Sequence, residues 1–185
     1  MKGVVFTEFL EMVEETFSPE LVDDIIEDAG VDSGGAYTAV ATYDHAELVA
    51  LVVALGRRTK TPVSDLVRTF GRHLLGRFAV LYPQFFDVGS AFEFLQSIET
   101  HIHVEVQKLY PDAELPHFEC LELGAHQLEM IYSSKRSFGD LAYGLIEGCG
   151  DHFGETLVIE REDLPSDEGS RVRFLLTTQS AVAHG

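Results

Sequence analysis

Two histidines, His101 and His103, stand close together in a segment whose apolar residues recur at helical spacing. Imidazole is a common ligand of transition metals, so either side chain is a candidate metal ligand. On a helical wheel each histidine lies about 100° from Ile102, on opposite flanks of the apolar stripe, so the two cannot share one metal ion from this helix. Periodicity alone does not choose between them, and a histidine at the edge of a core has the same spacing. The stripe consists of Phe92, Leu95, Ile98, Ile102, Val106 and Leu109.

A second group of polar side chains lies in the segment from Tyr132 to Arg136, which has the composition of a strand. Alternate residues of a strand face the same side, so Tyr132, Ser134 and Arg136 would form a row. The guanidinium of such a row can hold a carboxylate with two hydrogen bonds while the hydroxyl groups donate single ones. The row is therefore a candidate carboxylate receptor, although a strand end that meets solvent would have the same residues.

Helices are predicted over the first two-thirds of the chain, from apolar spacing and capping residues. Asp44 followed by Glu47 is a capping-box pattern. Gly71 and Gly76 lie inside one predicted helix, where each glycine costs about 1 kcal/mol relative to alanine, so we expect another segment to approach the backbone closely there. The predicted helices are an opening helix that carries Phe6, Phe9, Leu10 and Val13, then Ser18-Pro19 to Gly30, Leu48 to Leu55, Pro62 to about Leu81, and Ser90 to about Leu109.

Strands are predicted after Pro116, where alternating and β-rich composition replaces the helical spacing. The connections are too short for parallel crossovers, so the pattern predicts an α+β fold with a four-stranded antiparallel sheet. We expect one domain over residues 1–185, with a helical lobe over about 1–110 and a sheet-containing lobe over about 111–185. The predicted elements are strands over His117 to Leu123, Gln127 to Lys135, Thr156 to Glu162 and Arg171 to Thr177, a helix from Phe138 to about Phe153, a hairpin loop over Ser166 to Ser170 and a loose tail from Gln179.

The composition excludes several classes of function. The 185 residues carry a formal net charge of -18, from 31 acidic and 13 basic residues. Such a surface repels nucleic acid and anionic membrane surfaces, so neither is an expected partner. The acidic balance suits either solubility alone or docking onto a basic protein surface. The sequence contains no nucleophile–base pair, no phosphate-binding glycine loop and no metal cluster, so we expect no enzymatic activity.

The two cysteines, Cys120 and Cys149, show no metal-binding spacing and fit a reducing compartment. Cys149 lies within a predicted helix, where a packed thiol is expected rather than a reactive one. No run of about 18 apolar residues and no secretory leader pattern is present. The sequence therefore predicts a cytoplasmic protein.

Taken together, these segments resemble the H-NOX (haem-nitric oxide/oxygen binding) family. The features that carry the resemblance are the order His103, Tyr110-Pro111, Pro116 and the Tyr132-x-Ser134-x-Arg136 motif. His103 lies seven residues before Tyr110, as the family's haem ligand does, and His101 does not. The resemblance implies that haem b binds with His103 on its iron, with its propionates held by Tyr132, Ser134 and Arg136, and with Pro116 pressing on the macrocycle.

The resemblance also bears on which gas would bind. Oxygen-binding members carry a tyrosine that follows an aspartate in the helix after the motif, and here Leu141 follows Asp140. Tyr143 falls on another face of that helix. A buried donor stabilises bound oxygen, so its replacement by leucine implies binding of nitric oxide and carbon monoxide with exclusion of oxygen. The other positions similar to the family's distal pocket are Val5, Phe9, Leu74, Phe78 and Leu145.

The resemblance implies a stand-alone gas sensor. Nitric oxide would weaken or break the iron–His103 bond, and the shift would signal to a partner protein such as a histidine kinase or a cyclic-di-GMP enzyme. Two alternatives remain open from the sequence. One is an oxygen-binding haem protein of the same fold, against which the apolar distal positions count. The other is a haem-free module that binds a carboxylate or a protein through Arg136.

Overall fold

The computed structural model describes residues 1–179, and it confirms the predicted α+β class with an antiparallel sheet. The predicted tail beyond Gln179 lies outside the described residues. The helices are α1 (Gly3–Thr16), α2 (Pro19–Ala29), α3 (His45–Thr59), α4 (Val63–Leu81), α5 (Ala91–Ser97), α6 (His103–Leu109) and α7 (Gly139–Phe153), with a 3₁₀ turn at Pro83–Phe85 and a π turn at Ile98–Ile102. The strands are β1 (His117–Gly124), β2 (Gln127–Ser134), β3 (Leu157–Leu164) and β4 (Ser170–Thr178).

The helix ends follow the capping signals with one exception. The hydroxyl of Ser18 accepts a hydrogen bond from the amide of Leu21, and Gly30 ends α2 in the left-handed region at φ 55°. Asp44 caps α3, but the capping-box prediction for Glu47 is wrong. The carboxylate of Glu47 accepts instead from the hydroxyl of Tyr37 at 2.7 Å and from that of Ser33, because these groups of the preceding loop fold over the start of α3.

The four strands of the described chain form an antiparallel sheet in the order β1-β2-β4-β3. In the centre of the sheet Met130 pairs with Cys120 on one side and with Phe174 on the other. One face of the sheet is buried beneath residues of α5 and α7, and this packing forms the first hydrophobic core. The buried side chains of the two central strands are Leu128, Met130, Tyr132, Val172, Phe174 and Leu176.

Helices α1 to α4 form a second hydrophobic core around Phe6, Leu51, Leu55 and Phe70. Leu145 of α7 packs against both cores, so α7 lies where the two meet. None of the helices within residues 1–179 combines the length and hydropathy needed to cross a membrane.

Helices α4 and α7 approach each other at glycines. A Cβ on Gly144 would lie 1.9 Å from the carbonyl oxygen of Arg68, and a Cβ on Gly71 would lie 2.4 Å from that of Leu141. The expectation of a close approach is thus confirmed at Gly71. It is wrong at Gly76, where a Cβ would meet nothing within 4 Å, because that residue lies on the exposed side of α4.

The prediction of one helix from Ser90 to Leu109 is wrong in its centre. Helix α5 passes into the π turn, in which the amide of His103 donates to the carbonyl of Ile98 five residues earlier, and α6 then begins. A π turn accommodates one residue more than an α-helical turn, so it shifts the faces of α5 and α6 relative to each other. Apolar spacing predicts a helical segment but is insensitive to this change of hydrogen-bond register.

Candidate functional site

A cavity of about 780 Å³ lies between the helices and the buried face of the sheet. Its volume falls within the range of about 300–1,000 Å³ that is usual for small-molecule and cofactor pockets. The walls are mainly aliphatic and aromatic, with polar side chains that include Lys2, His45, His103, Ser134 and Arg136. The cavity can therefore enclose a large apolar molecule and orient it through a small number of polar contacts.

One side of the cavity, here called the distal wall, is apolar. It consists of Val5 from α1, Leu74 and Phe78 from α4, and Leu141 and Leu145 from α7. The distal wall offers no hydrogen-bond donor from its side chains, since all five are hydrocarbon.

Two neighbouring aromatic residues do not belong to the distal wall. Phe9, a predicted distal residue, is fully buried behind it and packs edge-on against Phe70, with ring centroids 5.2 Å apart. The hydroxyl of Tyr143 donates to the carbonyl of Ile159 at 3.4 Å, and the ring lies against the guanidinium of Arg68. Tyr143 therefore turns towards the sheet and supplies no donor to the cavity.

A second part of the lining, here called the proximal wall, carries His103 and Pro116. The π turn places His103 at the start of α6 with its side chain 15% exposed. His101 is exposed, lies edge-on to Phe85 at 5.9 Å, and is not part of the cavity wall. The structure thus separates the two histidines that periodicity alone does not distinguish, and it places only His103 in the cavity wall.

A carboxylate from the π turn holds His103. The Nδ1 of His103 lies 3.3 Å from one oxygen of Glu99, which also accepts from the amide of Phe118 at 3.1 Å. The other oxygen of Glu99 lies 2.7 Å from Nδ1 of His117. Burial lowers the pKa of His103 by more than the charge of Glu99 raises it, so the imidazole is neutral near pH 7. Neutral imidazole with Nε2 free is the form that binds a metal ion.

The charge state of Glu99 follows from the same contacts. Burial acts to raise its pKa, but the amide of Phe118 and the imidazole of His117 together outweigh it and hold the pKa of Glu99 below its ordinary value. Glu99 is therefore an anion at neutral pH.

The predicted carboxylate receptor forms part of the cavity rim. Tyr132 and Ser134 lie on β2, and Arg136 lies just beyond the end of the strand. The amide of Arg136 donates to the hydroxyl of Ser134 at 3.1 Å, while its carbonyl accepts from Tyr132 at 3.4 Å and from Ser170 at 3.1 Å. These bonds fix the backbone at Arg136 and aim its guanidinium along the rim.

The guanidinium of Arg136 is paired with the carboxylate of Glu114, which is highly exposed. Glu114 belongs to the loop between α6 and β1, the same loop that carries Pro116. A carboxylate is thus already bound where the sequence predicts that a ligand carboxylate binds. Exchange of this exposed partner for a ligand carboxylate costs little, because Arg136 keeps a carboxylate partner while Glu114 returns to water.

The loop between α6 and β1 is also tied to the start of the chain. The ammonium group of Lys2 lies 2.9 Å from Asp112 and 2.9 Å from the hydroxyl of Thr42, which in turn donates to Asp112. Lys2 also lies 4.9 Å from the ring centroid of Tyr110. These contacts join the loop to the start of the chain at the edge of the cavity. Residues so far apart in the chain give no local signal, so the sequence does not predict them.

Glu99 was also missed by the sequence analysis. It stands four residues before His103, a spacing that places two side chains on one face of a helix. That spacing is the signal by which it could have been found, whereas its contact with Phe118 depends on the packing of β1.

The cysteines lie outside the cavity wall. Cys149 is fully buried, its Sγ lies 3.7 Å from the carbonyl of Ala91, and burial raises the pKa of its thiol. The thiol of Cys120 packs near the carbonyl of Leu95, and burial raises its pKa to about 11. Both thiols are therefore protonated and unreactive at neutral pH.

The residues of the cavity fit haem. Haem is an apolar disc with two carboxylates on one edge, and the cavity combines apolar walls with a guanidinium at the rim. Within residues 1–179 no three His, Cys, Asp or Glu side chains are grouped to hold a metal ion by themselves. A single imidazole such as that of His103 suits a metal whose other ligands come from a macrocycle.

Comparison with known proteins gives matches over nearly the whole chain. The model of the haem-NO-binding (HNOB) family matches residues 2–161. The unliganded Fe(II) H-NOX protein from K. algicida is 38% identical, with 100% of each chain covered and a TM-score of 0.91. The H-NOX from Shewanella woodyi, bound to IWP-051 in the Fe(II)CO ligation state, is 39% identical, covers 100% of this chain and 98% of its own, and has a TM-score of 0.83. An H-NOX protein from S. oneidensis in the Fe(II)NO ligation state is 25% identical, with 97% of this chain and 100% of that chain covered and a TM-score of 0.89.

Proposed function

Since this chain belongs to the haem-NO-binding (H-NOX) family, we propose that it is a gas sensor that binds nitric oxide and carbon monoxide at ferrous haem b and excludes oxygen. It signals to a partner protein when the bond between the iron and His103 weakens or breaks. The observation that carries this proposal is a cavity lined by His103, which Glu99 holds, and by the hydrocarbon side chains of the distal wall.

Haem retention is assigned to four residues. His103 would ligate the iron through Nε2, because its Nδ1 is held by Glu99. Arg136 would exchange Glu114 for a propionate, and Ser134 and Tyr132 would complete the receptor once the hydroxyl of Tyr132 leaves the carbonyl of Arg136. When bound, haem would supply a ferrous iron that can take up a diatomic gas.

The gas preference is assigned to the distal wall. Oxygen on ferrous haem becomes a strong hydrogen-bond acceptor, and a buried donor would stabilise it by about 1.5–3 kcal/mol. Nitric oxide and carbon monoxide gain much less from such a donor. Leu74 and Leu141 supply no donor, and Tyr143 is turned away by its bond to Ile159. The distal wall therefore offers no hydrogen bond to stabilise bound oxygen, whereas bound nitric oxide and carbon monoxide lose little by its absence.

Signal transmission is assigned to the proximal wall. Helix α6 begins at His103, and Glu99 connects this point to the amide of Phe118 on β1. Release of His103 frees the start of α6 from the cavity, while Pro116 and the loop before β1 adjust with it. Such a ligand-biased change between two arrangements is what signalling requires.

The output depends on a partner. The strongly acidic chain, with its net charge of -18, suits a partner with a basic docking surface. We assign the chain a non-enzymatic role as one cytoplasmic sensor domain, in which a histidine kinase or a cyclic-di-GMP enzyme supplies the catalytic output.

Haem titration of the purified protein tests the first half of this proposal. We expect saturation at one haem per chain, with Arg136→Ala weakening uptake and small dicarboxylates failing to compete. A folded protein that takes up no haem, or that binds a dicarboxylate in its place, would contradict the proposal and favour the haem-free carboxylate module.

Amide hydrogen exchange of the reduced, haem-loaded protein tests the second half. Nitric oxide should increase exchange in peptides that cover Ile98–Ile102 and His103–Leu109, while α3 (His45–Thr59) serves as an internal control. If nitric oxide binds but hydrogen exchange stays unchanged in the peptides that cover Ile98–Ile102 and His103–Leu109, His103 does not transmit the signal.

A further inference from the structure

We infer that Glu99 is a positioning residue for His103 that gives its imidazole anionic character and so strengthens its bond to the haem iron. This inference deepens the proposed function and rests on it. It concerns a residue that does not touch the haem and acts only through His103.

Glu99 is fixed independently of His103. Its two carboxylate oxygens accept from the amide of Phe118 at 3.1 Å and from His117 at 2.7 Å, and both donors belong to β1. The sheet therefore holds the carboxylate in place, and the imidazole of His103 is oriented against a fixed acceptor.

Glu99 lies inside the π turn, and His103 follows directly after it with its Nδ1 3.3 Å from the carboxylate. The two residues are four apart, the spacing at which side chains meet on one face of a helix. The same carboxylate oxygen that faces His103 also accepts from the amide of Phe118. Glu99 thus contacts both the iron ligand and the neighbouring strand.

The surroundings strengthen the contact. His103 is 15% exposed and its ring lies 6.0 Å from that of Phe118, whereas the carboxylate of Glu99 is 36% exposed, so the imidazole is the shielded member of the pair. A charged acceptor forms a stronger hydrogen bond than a neutral one, more so where the local dielectric constant is low. A carboxylate that accepts from Nδ1–H raises the basicity of Nε2 and hence its strength as a metal ligand.

Glu99 would therefore oppose the release of His103. A stronger iron–histidine bond is harder for nitric oxide to break. Glu99 would thus control how readily nitric oxide binding releases His103 and the start of α6. Since Glu99 is bonded to β1, it also determines which strand responds when His103 moves.

Resonance Raman spectroscopy of the reduced, unliganded, haem-loaded protein tests the inference through the iron–histidine stretching band. We expect Glu99→Gln to shift this band to lower frequency. The amide oxygen of glutamine can still accept a hydrogen bond from His103, but it carries no negative charge. The matched control is Glu105→Gln, which removes a carboxylate from α6 that pairs with Lys108 rather than with His103. The control should leave the band in place.

A second variant guards against misfolding of the first. Glu99→Asp keeps the charge but retracts the carboxylate by one methylene group, and it should also lower the band frequency. In Glu99→Gln, nitric oxide should release His103 faster than in the wild-type protein, because the iron–histidine bond is weaker. An unshifted band in Glu99→Gln or in Glu99→Asp overturns the inference.

The two levels of the proposal fail differently. Absence of haem uptake by the wild-type protein would refute the proposed function itself. Normal haem uptake, with the same iron–histidine frequency in wild-type and Glu99→Gln proteins, would refute only the role of Glu99.

Discussion

The two walls of the cavity are built in contrasting ways. The distal wall presents hydrocarbon side chains from regular helices, and the two that carry most of it, α4 and α7, are locked together at Gly71 and Gly144. The proximal wall is irregular and polar, with a π turn, a histidine and a half-buried carboxylate that also contacts β1. A uniform wall suits selection among small gases, whereas a wall held by a few replaceable polar contacts suits movement.

This contrast assigns the two halves of the proposed function to different structures. Changes to the distal wall should alter which gas binds and leave iron ligation intact. Changes to the proximal wall and rim should alter haem ligation and leave the gas preference intact. The predictions below test this separation.

The largest effect is expected from His103→Ala. Loss of the only cavity-lining imidazole that faces Glu99 should abolish the five-coordinate ferrous spectrum, and added imidazole should restore it by occupying the vacated space. Absorption spectroscopy of the reduced protein measures both changes. The control His101→Ala, which removes an exposed side chain outside the cavity, should retain the wild-type spectrum. A wild-type spectrum from His103→Ala would show that another residue ligates the iron.

Arg136→Ala should weaken haem retention by roughly 10- to 100-fold, because a hydrogen-bonded charge pair contributes about 1.5–3 kcal/mol. The rate of haem transfer to an excess of apomyoglobin measures the loss. Arg173→Ala is the matched control, since Arg173 pairs with Glu129 and Glu162 and is not among the cavity residues. Equal rates of haem transfer from the two variants would show that Arg136 does not help to hold the haem.

Leu141→Tyr should introduce a donor into the distal wall and raise the affinity for oxygen by about tenfold, the equivalent of one hydrogen bond of about 1.5 kcal/mol. Leu141→Phe, which adds the ring without the hydroxyl, is the control and should show no such change. Oxygen titration of both reduced variants, followed by absorption at rising oxygen pressure, gives the comparison. A similar gain in both would mean that size rather than hydrogen bonding governs the distal wall.

Gly144→Ala should destabilise the protein by about 1–3 kcal/mol, because the new Cβ would overlap the carbonyl oxygen of Arg68 and force α4 and α7 apart. Gly76→Ala is the control: its Cβ would meet nothing within 4 Å, and alanine should stabilise the helix by up to about 1 kcal/mol. Urea unfolding gives both values. Equal stability of the two variants would show that α4 and α7 are not locked at Gly144.

Much of the fold is predictable from local signals in the sequence. Apolar spacing with capping residues such as Ser18 and Asp44 predicts the helices, and alternation predicts the strands that hold Tyr132 and Ser134. These features depend on neighbours a few residues apart. The positions of His103 and Arg136 at one cavity are expected only because the two motifs resemble those of a known family.

The remaining features depend on tertiary contacts. Glu99 lies in the π turn and accepts from the amide of Phe118 on β1, and no local pattern encodes this contact between the two elements. The pairing of Arg136 with Glu114 and the burial of Phe9 behind the distal wall are likewise set by packing. Periodicity shows which side of an element is apolar but not which buried residue reaches a cavity.

The most direct test of the account is an absorption spectrum of the haem-loaded protein, reduced without oxygen and then exposed separately to air and to nitric oxide. The account predicts a high-spin five-coordinate ferrous spectrum that shifts with nitric oxide and forms no stable complex with oxygen. A stable oxygen complex would contradict the role of the distal wall and identify an oxygen-binding haem protein of the same fold.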